Sequence, residues 1–180
     1  MTRLRLATAW LGGCSGCHMS FLDMDEFLIE MSSKVDLVFS PFIDVKEYPE
    51  GVDVALVEGA VCNEDHLKLL PLLRARTRMV VSFGDCAVTG NVTALRNPFG
   101  DARNTLDLVY LDGGDRNASL PLEPGIVPTL LDKVIPVHAI IPVDVYLPGC
   151  PPPASRIREV LEALIKGKRA HLAGESIRFG

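Results

Sequence analysis

The chain has 180 residues, of which 48% are hydrophobic, and this is enough to build a packed domain without disulfide bonds. Its 18 basic and 23 acidic residues give a net charge of −5, which argues against nucleic-acid binding because such proteins usually carry a basic face. No apolar run reaches the roughly 18 residues of a membrane span, and Cys14 interrupts the apolar region that a signal peptide would need. We therefore predict a single cytoplasmic domain over residues 1–180 whose cysteines are ligands or redox thiols.

Short apolar runs alternate along the chain with segments of helical periodicity. The runs predict five strands, which are Leu4–Trp10, Val35–Phe39, Val52–Val57, Met79–Phe83 and Val143–Leu147. Strands that alternate with helices form parallel sheets covered by those helices, so the pattern predicts an α/β fold. We expect Trp10, at the end of the first run, to pack in the core.

The predicted helices run from Ser20, as N-cap, to about Ser33; from Asn63 to about Arg78; over 86–95; over Val127–Val134; and from Pro153 to Gly167. Pro71 is expected to kink or split the second of them. Between Arg96 and Gly125 the pattern dissolves into turn signals. A loop of this length is usually functional, an interface or disordered.

The cysteines follow the ends of the predicted strands. Cys14 and Cys17 come after the first strand, Cys62 after the third, Cys86 after the fourth and Cys150 after the fifth. None of them is predicted to lie in the interior of a helix, although Cys86 is the first residue of the helix predicted over 86–95. Parallel α/β sheets bind ligands outside the carboxyl ends of their strands, so the sequence predicts that these thiols meet at one edge of the sheet.

A cubane iron–sulfur cluster is the group that this set of thiols suits best. It needs four thiolates, of which Cys14 and Cys17 would provide two from one turn, and Cys86 and Cys150 one each. Cys62 would then be left over, although spacing alone does not decide between Cys62 and Cys86. The alternatives are a zinc site, a thioredoxin-like dithiol, a c-type haem attached at Cys14-Ser15-Gly16-Cys17-His18, and buried cysteines without a role.

Four motifs in one order support this choice. They are Trp10-x3-Cys14-x2-Cys17, Glu58-Gly59, Gly84-Asp85-Cys86-Ala87-x2-Gly90 and Pro148-Gly149-Cys150-Pro151-Pro152. Together they resemble the small subunit of nickel–iron hydrogenases, and the resemblance extends from Leu6 to about Ile165. The run Cys-Ser-Gly-Cys-His-Met-Ser-Phe-Leu-Asp is similar to that of the cytoplasmic, NAD-reducing enzymes. The chain is similar, more remotely, to the cluster-bearing subunit of respiratory complex I, which has adjacent cysteines in the first motif.

The resemblance implies a flavodoxin-like domain, with helices on both faces of its sheet, that holds one [4Fe–4S] cluster. It implies that the ligands are Cys14, Cys17, Cys86 and Cys150, and it decides in favour of Cys86 over Cys62. The implied function is electron transfer from the nickel–iron centre of a partner large subunit toward flavin and iron–sulfur diaphorase subunits that reduce NAD. The chain alone is expected to be inactive toward hydrogen.

Two departures from the family are visible in the sequence. The family often has two glycines where this chain has Gly90 and Asn91. Many members also carry a C-terminal extension with two more clusters, whereas this chain has too few cysteines for a second cubane. We therefore expect electrons to leave through another subunit.

Several single residues have two interpretations each. Glu58 is expected either in the wall between cluster and nickel–iron centre, with a part in proton transfer, or as a carboxylate hydrogen-bonded to loop backbone. His18 is expected at the surface or as a helix cap rather than as a donor to the cluster, and Asp85 as a cap of the helix that follows it.

Three further possibilities stay open at this stage. A flavodoxin-like domain can bind FMN, for which Gly12-Gly13 before a helix is a weak signal. The chain could also be a subunit of a complex I-like quinone oxidoreductase. A zinc-stabilised interaction module without a redox role is the third.

Overall fold

The computed structural model of the chain describes residues 3–113, 118–168, 170 and 172–177. The strands are β1 (Leu4–Trp10), β2 (Val35–Phe39), β3 (Val52–Glu58), β4 (Val61–Asn63), β5 (Thr77–Phe83), β6 (Leu130–Ile135) and β7 (Val145–Leu147). The α-helices are α1 (Gly16–Leu22), α2 (Glu26–Ser32), α3 (Glu64–Arg76), α4 (Asp85–Thr89), α5 (Ala102–Leu106) and α6 (Ala154–Ile165). Segments of 3-10 helix cover Asn91–Phe99, Val137–Ala139 and Gly174–Ile177, and a π-helix covers Asp107–Asp112.

Five strands form a parallel sheet in the order β2-β1-β3-β5-β7. Numbered within the sheet alone, this is the order 2-1-3-4-5 of flavodoxin-like folds. A second, antiparallel pair joins β4 to β6. The predicted α/β class with a parallel sheet is therefore confirmed.

Successive residues of the central strands enter two different hydrophobic cores. Leu6 and Leu56 pack with side chains of α1, α2 and α6 on one face, whereas Ala7 and Val57 pack with side chains of α3 and α4 on the other. This alternation is the two-residue period of a strand that is buried on both faces. Helices thus cover both faces of the sheet, as predicted.

The carboxyl ends of the four neighbouring strands lie in one row. Trp10 of β1 pairs with Glu58 of β3, Glu58 with Phe83 of β5, and Phe83 with Leu147 of β7. The loops that follow these residues carry the cysteines, so the register brings the loops side by side. Within the described residues, no helix is long and apolar enough to cross a membrane.

The helix predicted from Ser20 to Ser33 is in fact two helices. Asp25 interrupts it with a φ of 47°, and α1 begins before Ser20, at Gly16. Ser20 is therefore not an N-cap. Its buried hydroxyl donates instead to the carbonyl of Pro152, at 2.6 Å, which ties α1 to the last cysteine loop.

Three other element predictions need correction. Residues 130–135 form a strand rather than the predicted helix, because they pair with β4. Of the kink or split predicted at Pro71, the split does not occur, since α3 continues through this residue with Leu70 and Leu73 fully buried on its inner side. The segment predicted as a long loop after Arg96 contains 3-10, α- and π-helical turns.

Candidate metal centre

Cys14, Cys17, Cys86 and Cys150 lie on neighbouring loops at the carboxyl edge of the sheet. All four are free of disulfide bonds. Cys14 and Cys150 are exposed, whereas Cys17 and Cys86 are buried. The prediction that no cysteine falls inside a helix is wrong for Cys17, which lies in the first turn of α1, and Cys86 lies in that of α4. Both helices begin at this edge and carry a thiol into it.

Backbone hydrogen bonds hold the loop before Cys86 against the loop before Cys150. The N–H of Gly84 donates to Leu147 O at 2.8 Å, and that of Asp85 to Gly149 O at 2.9 Å. The N–H of Gly149 donates in return to the Asp85 carboxylate at 2.6 Å. Asp85 is therefore not the predicted helix cap, because Gly84 occupies the N-cap position of α4. Instead, Asp85 joins the two cysteine loops by hydrogen bonds to Gly149.

The first cysteine loop is held against the ends of β3 and β4. Leu11 donates its N–H to Glu58 O at 2.8 Å, and Gly12 and Ala60 exchange hydrogen bonds at 3.0 and 2.8 Å. The loop also approaches Gly84, which has a φ of +83°, so closely that a Cβ there would overlap the sulfur of Cys17. The thiol of Cys17 thus lies directly against the loop that carries Cys86.

The carboxylate of Glu58 closes the N-terminus of α1 from a strand that lies 40 residues away along the chain. It is almost fully buried and accepts the N–H of Cys17 at 3.3 Å and that of His18 at 3.0 Å. The first turn of a helix leaves these donors free, and a carboxylate is favourable at that end of the helix dipole. The arrangement agrees with the interpretation of Glu58 as a carboxylate bonded to loop backbone, while a part in proton transfer stays a prediction.

His18 is buried next to Glu58, so the prediction of a surface or capping role is wrong. Its Nδ1 hydrogen-bonds the Glu58 carboxylate, and its ring meets Phe42 and Phe83 edge-on, with centroids 5.4 and 6.2 Å away. Its Nε2 has no hydrogen-bond partner among the described residues. Helical spacing alone could not reveal this, because the pocket is built by distant strands.

Burial and neighbouring negative charge both disfavour ionisation of the two buried thiols. Burial raises the pKa of the Cys17 thiol far above its usual range, and negative charge on Glu58, Cys86, Cys14 and Cys150 raises it further. Burial also raises the pKa of Cys86, assisted by Cys150 and Cys14. Four thiolates in such a place repel one another, and a cationic group bound between them would relieve both the repulsion and the cost of burial.

Sequence reasoning missed two donors at the start of the 3-10 helix Asn91–Phe99. The amide Nδ2 of Asn91 lies 3.3 Å from the sulfur of Cys150. The backbone N–H of Thr93 faces the Cys86 thiol and opposes the rise of its pKa. The asparagine at Gly90-Asn91, where the family often has a second glycine, was the one sequence signal for these donors. Only the fold shows that this segment lies beside the thiols.

The remaining cysteine, Cys62, and the tryptophan Trp10 are not part of the proposed ligand set. The half-buried Cys62 sulfur is 3.6 Å from Nδ1 of His66, and it faces Gly12, where a Cβ would overlap it. Trp10 is not in the core as predicted, because 49% of its surface is exposed at the end of β1.

The donor set fits an iron–sulfur cluster in its chemistry. Four thiols are available, and backbone and side-chain N–H groups face two of their sulfurs, as is usual where a protein holds such a cluster. Among the described residues, no three His, Cys, Asp or Glu side chains are arranged to hold one metal ion. A cubane spreads its ligands more widely, because each thiolate binds a different iron atom.

Fold and site together define an α/β protein with a set of thiols at the carboxyl edge of a flavodoxin-like sheet. A sequence model of the family described as NADH ubiquinone oxidoreductase, 20 Kd subunit, matches residues 14–164, a range that contains all these thiols. The chain therefore belongs to this family.

Particular relatives narrow the comparison to hydrogenases. The chain is 36% identical over 181 residues to the NAD-reducing hydrogenase HoxS subunit delta of Cupriavidus necator, a match that covers 98% of this chain and 86% of that protein. It is 35% identical over 183 residues to one subunit of the F420-non-reducing hydrogenase of Methanothermobacter marburgensis. That match covers 97% of this chain but 58% of the relative, so the chain spans little more than half the length of that relative.

Solved structures agree with these sequence matches. One chain of an NAD+-reducing [NiFe]-hydrogenase in its H2-reduced state superposes with a TM-score of 0.92 at 38% identity, covering 99% of this chain and all of that one. The Ni-Fe-Se hydrogenase of Desulfomicrobium baculatum, at 16% identity and a TM-score of 0.57, shares the fold. The predicted resemblance to nickel–iron hydrogenases of the NAD-reducing type is confirmed.

Proposed function

We propose that the chain is the electron-transfer subunit of a cytoplasmic, NAD-reducing nickel–iron hydrogenase. Cys14, Cys17, Cys86 and Cys150 hold one [4Fe–4S] cluster, which supplies one-electron transfer between the nickel–iron centre of a large subunit and a diaphorase module. The observation that carries the proposal is that the strand register and the loop contacts bring the segments of these four thiols to one sheet edge, in a chain that superposes on one chain of an NAD+-reducing [NiFe]-hydrogenase. A relative from Archaeoglobus profundus is itself named an iron–sulfur subunit.

A partner surface beside the thiols supports the proposal. Large apolar side chains close to the cysteines are exposed, and they are Trp10, Met19, Phe42 and Val92. Exposed apolar patches of this kind mark protein–protein interfaces. Cys14 and Cys150 are exposed at the same edge, so a subunit docked there would cover the cluster and bring its own redox centre close to it.

The roles of the chain's own residues follow from the geometry. Glu58 fixes the N-terminus of α1 and with it Cys17. Asp85 fixes the spacing of the loops that carry Cys86 and Cys150. The chain presents one set of four thiols and would therefore depend on other subunits both for hydrogen activation and for NAD reduction.

Flavin binding is left out of the proposal. The loop after β1, where an FMN phosphate would bind in a flavodoxin-like domain, carries Cys14 and Cys17 in this chain. Binding of FMN by this domain stays a prediction.

The function can be tested on the complex that copurifies anaerobically with an affinity-tagged chain. We expect nickel in that complex and hydrogen-dependent reduction of NAD+. Cys150→Ser should abolish NAD+ reduction, whereas Cys62→Ser should retain it, because the Cys62 sulfur lies beside His66 and is not one of the four proposed ligands. Absence of nickel and of hydrogen-dependent activity from the wild-type complex would contradict the proposal.

A subunit of a complex I-like quinone oxidoreductase is the second candidate, favoured by the description of the matching family. The same preparation separates the two functions. A complex that reduces a quinone with NADH, and that neither contains nickel nor consumes hydrogen, would support the second candidate.

A further inference from the structure

Asn91 occupies a backbone conformation that few residues adopt readily. Its φ is +38°, in the left-handed region where glycine is unstrained and asparagine is among the better tolerated of the others. Its position is fixed from the preceding helix, because its N–H donates to the hydroxyl of Thr89, which itself donates to Asp85 O at 2.9 Å. The side chain therefore leaves the backbone from a defined point.

The Asn91 amide is directed at the sulfur of Cys150. Its Nδ2 is 3.3 Å from that sulfur, and an iron-bound thiolate can only accept a hydrogen bond, so the N–H end of the amide must face it. The acceptor is fixed as well, since the loop of Cys150 is joined to Asp85 through Gly149. Both partners of the hydrogen bond are thus anchored on the same residue, Asp85.

Hydrogen bonds to cluster sulfurs are among the factors that set the reduction potential of an iron–sulfur cluster. When one electron arrives from the partner's redox centre, no covalent bond is made or broken and no proton needs to move. The charge on the sulfurs becomes more negative, and an N–H donor stabilises that added charge. A donor of this kind therefore favours the reduced state.

We propose that Asn91 is a positioning residue whose amide donates to the Cys150 thiolate and thereby raises the reduction potential of the cluster. This inference rests on the proposed function, because it needs the cluster. A glycine at this position would leave the sulfur of Cys150 without this donor, while the Thr93 N–H would still serve Cys86.

The experiment is a redox titration of the anaerobic complex, followed by electron paramagnetic resonance, on the wild type and on Asn91→Gly and Asn91→Asp. Asn91→Gly removes the donor and relaxes the backbone. Asn91→Asp keeps the shape but replaces the donor by a carboxylate. Asn104→Ala is the matched control, since it removes an exposed asparagine amide that donates to Phe99 O rather than to a thiol.

We expect Asn91→Gly to weaken the electron affinity of the cluster about three- to tenfold, which lowers the potential by about 30–60 mV at 59 mV per factor of ten. Asn91→Asp should lower it further, and Asn104→Ala should leave it unchanged. Unchanged potentials in both Asn91 variants, with iron and sulfide contents equal to the wild type, would overturn the inference alone. A wild-type complex without iron and sulfide would overturn the proposed function and the inference with it.

Discussion

The carboxylate of Glu58 accepts the backbone N–H of His18 at 3.0 Å and also bonds the Nδ1 of the same residue. The strand that ends at Glu58 therefore holds the helix that begins beside Cys17. Since both residues are almost fully buried, water cannot replace these hydrogen bonds.

Replacing Glu58 by alanine should destabilise the cysteine edge of the sheet. The N–H groups of Cys17 and His18 would lose their acceptor. Unpaired buried donors cost about 1–3 kcal/mol each, so we expect a loss of about 2–6 kcal/mol in stability and a loss of bound iron. Thermal unfolding and iron content of the purified complex measure these effects. Glu50→Ala is the control, because the Glu50 side chain, which pairs with Arg76, is 74% exposed and an ion pair of this kind is worth less than about 1 kcal/mol. Equal effects of the two substitutions would contradict this role of Glu58.

Gly84→Ala should prevent assembly of the site. The added Cβ would overlap the sulfur of Cys17, so either the thiol or the loop before Cys86 must move. Gly51 provides a matched control, since it also has a positive φ, of +69°, but a Cβ there would meet nothing within 4 Å. We expect Gly51→Ala to cost only the backbone strain of about 1–2 kcal/mol and to keep its iron. Retention of iron by Gly84→Ala would show that iron binding does not require the Cys17 sulfur to lie against residue 84.

Asp85→Ala should loosen the contact between the loops of Cys86 and Cys150. The buried N–H of Gly149 would lose its acceptor at 2.6 Å, at a cost of about 1–3 kcal/mol. Asp85→Asn retains an oxygen that can accept this bond and should be milder. The rate at which a chelator removes iron from each variant measures how firmly the two loops are joined. Faster loss of iron from Asp85→Asn than from Asp85→Ala would contradict this role of the Asp85 carboxylate.

The metal-free chain should lose stability as the pH rises above about 9. Thiols in the unfolded chain ionise near 9.0, whereas burial raises the pKa of Cys17 and of Cys86 in the folded chain. The unfolded state therefore releases protons first, and high pH favours it.

Thermal unfolding of the reduced, metal-free chain at about pH 7.5 and about pH 9.5 tests this. Cys17→Ser is expected to reduce the difference in midpoint between the two pH values. Tyr48, whose pKa burial raises to about 12, would contribute only at higher pH. A thermal unfolding midpoint that does not fall between these two pH values would contradict the raised pKa values of Cys17 and Cys86.

The sequence was sufficient to predict the parallel sheet and the edge at which the cysteines lie. Continuous apolar runs such as Val52–Val57 mark strands buried on both faces, and their ends fix which loops meet. The start of α1 was not predictable, because the group that satisfies its free N–H donors is Glu58, on another strand.

The other misses have the same physical cause. Residues 130–135 form a strand because β4 lies beside them, and local periodicity contains no information about that pairing. The Asn91 amide reaches Cys150 across 59 residues of chain. Such contacts depend on how loops meet in space, which a local pattern does not encode.

The central claim is that four particular thiols hold one cubane cluster. Its most direct test is the iron, sulfide and zinc content of the anaerobic complex, with an electron paramagnetic resonance spectrum after reduction, for the wild type, Cys150→Ala and Cys62→Ala. Our account predicts about four irons and four sulfides fewer for each copy of the chain in Cys150→Ala than in the wild type, and wild-type contents in Cys62→Ala. Zinc without sulfide in the wild type, or loss of the cluster from Cys62→Ala instead of Cys150→Ala, would contradict it.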